Sequence, residues 1–321
     1  MSRRLTVGTV LVAGALALAA CGGDAEGEAP EGDGGLTSIT VGVIPIGDTA
    51  PAWLGLQEGI FEEHGLDVEI QVLQGGAAVI PGVLSGDIQF GFSNTTSLLI
   101  AADQGLGLSW VAPAASTTGD VEEDFSAVMT MPGSGISSPS DLEGRTVAVN
   151  TLNNIGDTVV RSVVEADGGD PDAVEFVELA FPDMPAALTE GRVEAAWVLD
   201  PFMTMLNDEG AESISRPYAE VHPELMVAAY FTSEQLASSD PEVIEAFQAA
   251  MQESLTYAEE HPDEARAVLS EFTEIAPEVR EAIVLPRWPS EFAIESIETL
   301  ADLAYQHGLL EEEVAPESLL Y

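Results

Sequence analysis

Lysine is missing altogether: the nine basic residues among 321 are all arginine, set against 56 carboxylates for a formal charge of −47. No side chain can form a Schiff base with pyridoxal phosphate, and neither a P-loop nor a Ser-x-x-Lys nucleophile is possible. A surface this acidic is repelled by nucleic acid and by anionic lipid. Cysteine occurs once, at Cys21, which excludes an intrachain disulfide and a thiolate metal cage. His64, His222, His261 and His307 stand far apart and share no ligand spacing, so no metal site is expected. There is no Gly-x-Ser-x-Gly elbow, and Gly133-Ser134-Gly135 reads as a flexible turn. The expectation is a protein that is not an enzyme, with no catalytic residue and no cofactor.

Long apolar runs are scarce too. Leu5 to Leu18 is uncharged but falls short of a bilayer span of about 20 residues. With Arg3 and Arg4 before it and Ala19-Ala20 after it, the run reads as a secretory signal over residues 1–20. Leu18-Ala19-Ala20-Cys21 resembles the lipobox of bacterial lipoproteins. That resemblance implies cleavage before Cys21 and a diacylglycerol on its sulfur, an anchor of two or three acyl chains that holds stably. A soluble secreted chain with an incidental cysteine is the alternative. Cleavage removes two of the nine arginines and no carboxylate, taking the charge from −47 to −49. Residues 21–35, which include DAEGEAPEGDGG, read as a flexible acidic linker of roughly 20 Å reach. Disorder does not extend further, because 46% of the chain is hydrophobic and apolar periodicity continues almost to the end. The composition resembles that of proteins from salt-loving organisms, where screening tames self-repulsion.

From Ile39 onward strand and helix patterns alternate, which argues for parallel α/β sheets. Strands are expected at 39–44, 67–73, 88–92 and 108–114, then at 146–149, 174–179 and 194–199. Helices are expected at 51–63, 76–85, 95–104, 155–167, 183–190 and from Pro201 to about 209. Two further strand-like segments, 125–130 and 225–230, lie between these units. After the second the chain turns helical, over 233–238, 241–260, 262–271, 277–284 and 290–307. The order predicts two α/β lobes joined by two crossings, with the C-terminal helices returning to lobe one. Lobe one comprises 36–129 and 230–321, and lobe two 130–229. Two crossings make a hinge, and both lobes aim the carboxyl ends of their strands into one cleft.

Several short motifs then come into register: Gly55-Leu56-x-x-Gly59-x-Phe61-x-x-x-Gly65-Leu66, Gly86-Asp87 before a strand leading to Ser93, and Ser138-Pro139-Ser140-Asp141-Leu142-x-Gly144-Arg145. Ala187-Leu188-x-x-Gly191-x-Val193-Glu194-Ala195, Pro241-Glu242-Val243 and His261-Pro262-Asp263-Glu264-Ala265 follow. In this order the chain resembles the solute-binding proteins of ABC importers, in the branch that binds nitrate, taurine, alkanesulfonates and pyrimidine precursors. The resemblance covers nearly the whole chain after Cys21. It implies a type II-like periplasmic-binding-protein fold, a small-molecule solute, and a membrane permease with its ATPase as partners. It also implies a monomer on the extracytoplasmic face of the membrane, tethered only by its lipid. A tethered sensor that presents its solute-bound form to a receptor remains an alternative, as does a pyrimidine-synthesis enzyme of the same fold.

The expected strand ends supply the candidate ligand-binding residues: Asp48 and Thr49, then Ser93, Asn94 and Thr95 in lobe one, and Asn150, Thr151, Asn153 and Asp200 in lobe two. Ser93, Asn94 and Thr151 precede helices, where free N–H groups favour an anion or a carbonyl oxygen; N-capping is their other role. Asp48 and Asp200 could meet across a closed cleft, although Asp200 ahead of Pro201 also reads as a cap. Trp53, Phe181, Phe202 and Trp288 could wall the pocket, while Trp197, in mid-strand, belongs to the core. No arginine falls on these loops, and Arg287 is the one that could reach in. Sulfonate and nitrate ordinarily call on a guanidinium fork. The expected solute is therefore neutral or amine-bearing, with aromatic and heterocyclic compounds among the candidates.

Overall fold

In the computed structural model, which describes residues 35–73 and 75–321, the strands follow the apolar alternation of the sequence. The segments read as export signal and acidic linker, as far as Gly34 and with Cys21 between them, lie outside the described residues. In chain order the strands are β1 (Thr37–Val43), β2 (Leu66–Val72), β3 (Phe90–Asn94) and β4 (Leu108–Ser116). They continue with β5 (Ser126–Thr130), β6 (Thr146–Val149), β7 (Glu175–Glu178), β8 (Ala195–Leu199), β9 (Glu212–Ser215) and β10 (Met226–Ser233).

They assemble into two five-stranded sheets of matching design, ordered β2-β1-β3-β10-β4 and β7-β6-β8-β5-β9. In each, three strands run parallel and a fourth, β10 or β5, enters antiparallel beside them. The segments read as crossings are thus strands themselves, and the sheets are mixed rather than all parallel. The chain passes from the first sheet to the second between Ser116 and Ser126, and returns between Ser215 and Met226. Central strands β5 and β8 are buried along their whole length, β8 as a continuous apolar run and β5 with Ser126 and Thr130 at its ends, whereas edge strands β7 and β9 leave most positions exposed or half-buried.

Helices cover both sheets. The amphipathic helix Pro241–Glu260 lays Phe247 on the first sheet, stacked on Phe90 at 3.8 Å between centroids and edge-on to Tyr230. The helix Ile155–Ala166 buries Val159, Val160, Val163 and Val164. In the second core Trp197 packs against Phe181 and Tyr218, and its indole N–H donates to Ser126 at 3.0 Å. The expected helix over 51–63 is two helices, Ala50–Gln57 and Ile60–Glu63, because Gly59 breaks it with a left-handed φ of 78°. The last long helix begins at Ile294 rather than 290. The strand β9 and the short helix Pro217–Val221 carried no sequence signal, being a mostly exposed edge and a single turn.

Candidate functional site

A cavity of about 100 Å³ sits where strand ends of the two sheets face one another. Ile44, Pro45, Ile46 and Gly75 form its wall on the first sheet's side; Asn150, Ala180, Phe181, Pro182 and Phe202 form the other. Phe181 and Phe202 lie stacked at 5.9 Å with 10° between their planes, a flat aromatic surface. Asn150 brings a buried Oδ1 with no hydrogen-bond partner among the described residues. Of the expected site residues, Asn150, Phe181 and Phe202 line this cavity.

Asp48 lies two residues beyond Ile46, and only 3% of it is exposed. Its Oδ1 has no partner among the described residues. Burial pushes its carboxyl up to about 7, and the nearby Asp124 carboxylate adds to the rise. Tyr218 and Tyr230 are pushed up by the same burial and by Asp48 itself. Tyr230 also keeps a buried hydroxyl, and the fully buried Ser93 an Oγ, without a partner among the described residues.

Other expected residues are occupied with the fold. Thr49 donates its hydroxyl to the carbonyls of Ile44 and Ile46, both at 3.0 Å. Thr95 donates to the Met226 carbonyl at 2.7 Å, tying its helix to β10. Asn94 caps that helix, its Oδ1 accepting from the Ser97 amide at 2.9 Å. Trp53 stacks on Phe272 at 4.9 Å and does not line the cavity. Thr151 and Asn153 line a second, open cavity of about 270 Å³ in the same seam. Asn153 holds a left-handed φ of 52°, with its amide on Asp157. Beside them Asn154, which caps the helix Ile155–Ala166, bonds Ser97 across the seam.

Asp200 differs from its expected partner Asp48. Its Oδ1 accepts from the amide and hydroxyl of Thr204 at 2.9 and 2.7 Å, and its Oδ2 from the Val284 amide at 2.7 Å. Burial raises its carboxyl to about 6 despite these donors. Ile44, Pro45, Ile46, Gly75 and Pro182 line the cavity without having been expected there; the Gly75-Gly76 pair just after β2 was the available signal for a strand-end turn. Among the described residues no arginine lines the cavity. Arg145, Arg161 and Arg192 pair with Glu194, Asp172 and Glu190, and Arg287 borders a separate open cavity with Glu224 and Glu259.

Residues 47–265 match the family model described as NMT1/THI5 like. The chain is 27% identical over 220 residues to the formylaminopyrimidine-binding protein of Halalkalibacterium halodurans, covering 68% of this chain and 64% of that protein. It is 26% identical over 198 residues to the taurine-binding periplasmic protein of Escherichia coli, covering 61% and 59%. Each match therefore spans less than two thirds of the relative. Among solved structures, the alkanesulfonate-binding protein of Xanthomonas axonopodis pv. citri, bound to MOPS, superposes with a TM-score of 0.74 at 16% identity, covering 88% of this chain and 98% of that one. That likeness is one of fold.

Proposed function

The chain belongs to the NMT1/THI5-like family, and on that footing we propose that it is the extracytoplasmic solute-binding subunit of an ABC importer. It captures a small organic solute between two hinged lobes, closes over it, and delivers it to a membrane permease. A lipid on Cys21 holds it at the membrane. The observation that carries this reading is the cavity between the sheets, walled by strand-end residues of both.

The solute is neutral or amine-bearing, with an aromatic or heterocyclic ring. Two features of the cavity wall support this: the stacked Phe181–Phe202 surface and the open acceptor oxygen of Asn150, with no guanidinium among the described lining residues. Micromolar affinity needs about 8 kcal/mol net. For an oxyanion, helix ends alone would each contribute at most about 2 kcal/mol, which falls short. For an amine, Asp48, two residues beyond the Ile46 wall and with its carboxyl raised to about 7, would offer a charge-assisted bond on giving up its proton.

A thermal-shift screen of the mature chain in high salt tests the reading. The panel holds pyrimidines, amines, aromatic carboxylates, sulfonates and nitrate. A ligand at a hundred times its dissociation constant adds about 2.7 kcal/mol, a visible rise in melting temperature. Pyrimidines or amines are expected to register; a response confined to sulfonates and nitrate would refute the solute class. Replacing Cys21 with Ser should release the protein from membranes, and persistent membrane association would refute the lipid anchor.

A further inference from the structure

The two chain crossings are not the only links between the sheets. Residues 283–289, between the helices Pro277–Ala282 and Ile294–Gln306, run across the same junction. On the first sheet's side they are held repeatedly. Arg287 exchanges two backbone hydrogen bonds with Ser116 at the end of β4, at 2.9 and 3.0 Å. The buried Trp288 donates its indole N–H to the Asp48 carbonyl at 3.2 Å and its amide to Glu259. On the second sheet's side the hydrogen bond is the one from the Val284 amide to Asp200, 84 residues away in sequence. Asp200 is 4% exposed, and the two bonds from Thr204 fix its carboxylate so that Oδ2 points at this amide. The helix Pro277–Ala282, which leads into the segment, packs on the helix Phe202–Asp208 that follows Asp200.

We propose that residues 283–289 form a strap across the hinge and that Asp200 is its catch on the second lobe, so that Asp200 is a positioning residue for lobe closure and not a solute contact. This rests on the reading of the protein as a two-lobed solute binder. The physical case is one of anchoring. A segment fixed to the first sheet by backbone pairing and a buried indole keeps a constant relation to that sheet. One charge-assisted bond then transmits the position of the second lobe to it. The carbonyl that receives Trp288 belongs to Asp48, so the strap also meets the loop beside the cavity.

The test uses the mature chain without solute, so it stands whether or not the screen above finds a ligand. Asp200→Asn replaces one acceptor oxygen with a donor that cannot face the Val284 amide. Val284→Pro removes the donor from the other side and leaves Asp200 untouched. The preceding Ile283 already has φ −63° and ψ 146°, which a following proline accepts. In Asp200→Asn, amide exchange over 283–289 should accelerate about tenfold, while exchange in β1 and in Pro241–Glu260 stays unchanged. Small-angle scattering should show an enlarged radius of gyration in both variants.

A pH profile separates positioning from bulk packing. Arg216 is the charged group that acts on Asp200, and it favours the ionised form; Thr204 and Val284 are its hydrogen-bond donors. After correction for intrinsic rates, exchange over 283–289 in the wild type should rise as pH falls through about 6, and be flat in Asp200→Asn. For any solute found, Asp200→Asn should speed release and leave the ranking of the panel unchanged. Unaltered exchange and scattering in both variants would overturn the proposal. So would a changed solute ranking in Asp200→Asn with exchange over 283–289 unaltered, which would make Asp200 a solute contact.

Discussion

Replacing Asp48 with Asn should make the protein more stable than wild type at pH 8 and leave the two nearly equal at pH 4. Asp48 is almost wholly buried, with one oxygen unpartnered among the described residues and the Asp124 carboxylate nearby. Its carboxyl is raised from 3.8 to about 7. Between these values the folded chain holds a proton that the unfolded chain has released. Folding then takes up a proton, so stability falls as pH rises through this window. At about 1.36 kcal/mol per pH unit, the loss across the window approaches about 4 kcal/mol. Asn carries no ionisable group and escapes it. At about 2–4 °C per kcal/mol, the gain in melting temperature at pH 8 is of order 10 °C. The assay is thermal unfolding followed by circular dichroism at pH 4 to 8 in one salt concentration, taking the difference between variant and wild type at each pH. Contributions of the other carboxylates largely cancel in that difference. A gap independent of pH would refute a buried, proton-holding Asp48; a gap that reverses would mean that the folded state stabilises the carboxylate. The same variant should weaken binding of amine-bearing solutes, so greater stability and lost affinity should appear together.

Three other outcomes follow from the packing. Phe247→Ala empties the stack on Phe90 and should cost about 3–5 kcal/mol, read from the midpoint of chemical denaturation; a loss under about 1 kcal/mol would mean that this helix is not anchored there. Gly55→Ala would place a Cβ 2.1 Å from Ser254 Oγ and 2.9 Å from Phe61, so it should destabilise by about 1–3 kcal/mol. Adding Ser254→Ala should recover part of that loss, and no recovery would refute the clash. Arg145→Ala removes a 2.7 Å pair with Glu194 whose side chains are 36% and 42% exposed; it should cost less than about 1 kcal/mol at 0.1 M salt and still less at 1 M. A larger loss that persists at high salt would show that the pair is not screened by solvent.

Much of the architecture was legible because apolar spacing is a local property. The continuous run of β8, the alternation of β1, and the glycine stops after helices report burial within a few residues of one another. Strand ends could be named for the same reason, and three residues so named, Asn150, Phe181 and Phe202, lie on the cavity wall. The edge strand β9 escaped because an exposed edge need not alternate. The split of residues 50–63 escaped because one glycine inside a helical pattern does not announce its φ.

What the amino-acid sequence determined by itself is what depends on composition and short-range period: the acidic, lysine-free surface, the order of strands and helices, and the loops at which a site could form. It could not separate Asp48 from Asp200, since both are acids at the end of a strand before a helix. Tertiary structure gives them different surroundings. The Val284 amide arrives from 84 residues away to occupy Asp200, while Asp48 is buried beside Asp124 and Tyr230 with an oxygen unpartnered among the described residues. Whether a polar group is free depends on which donors the whole chain brings to it, and that is fixed only when distant segments pack.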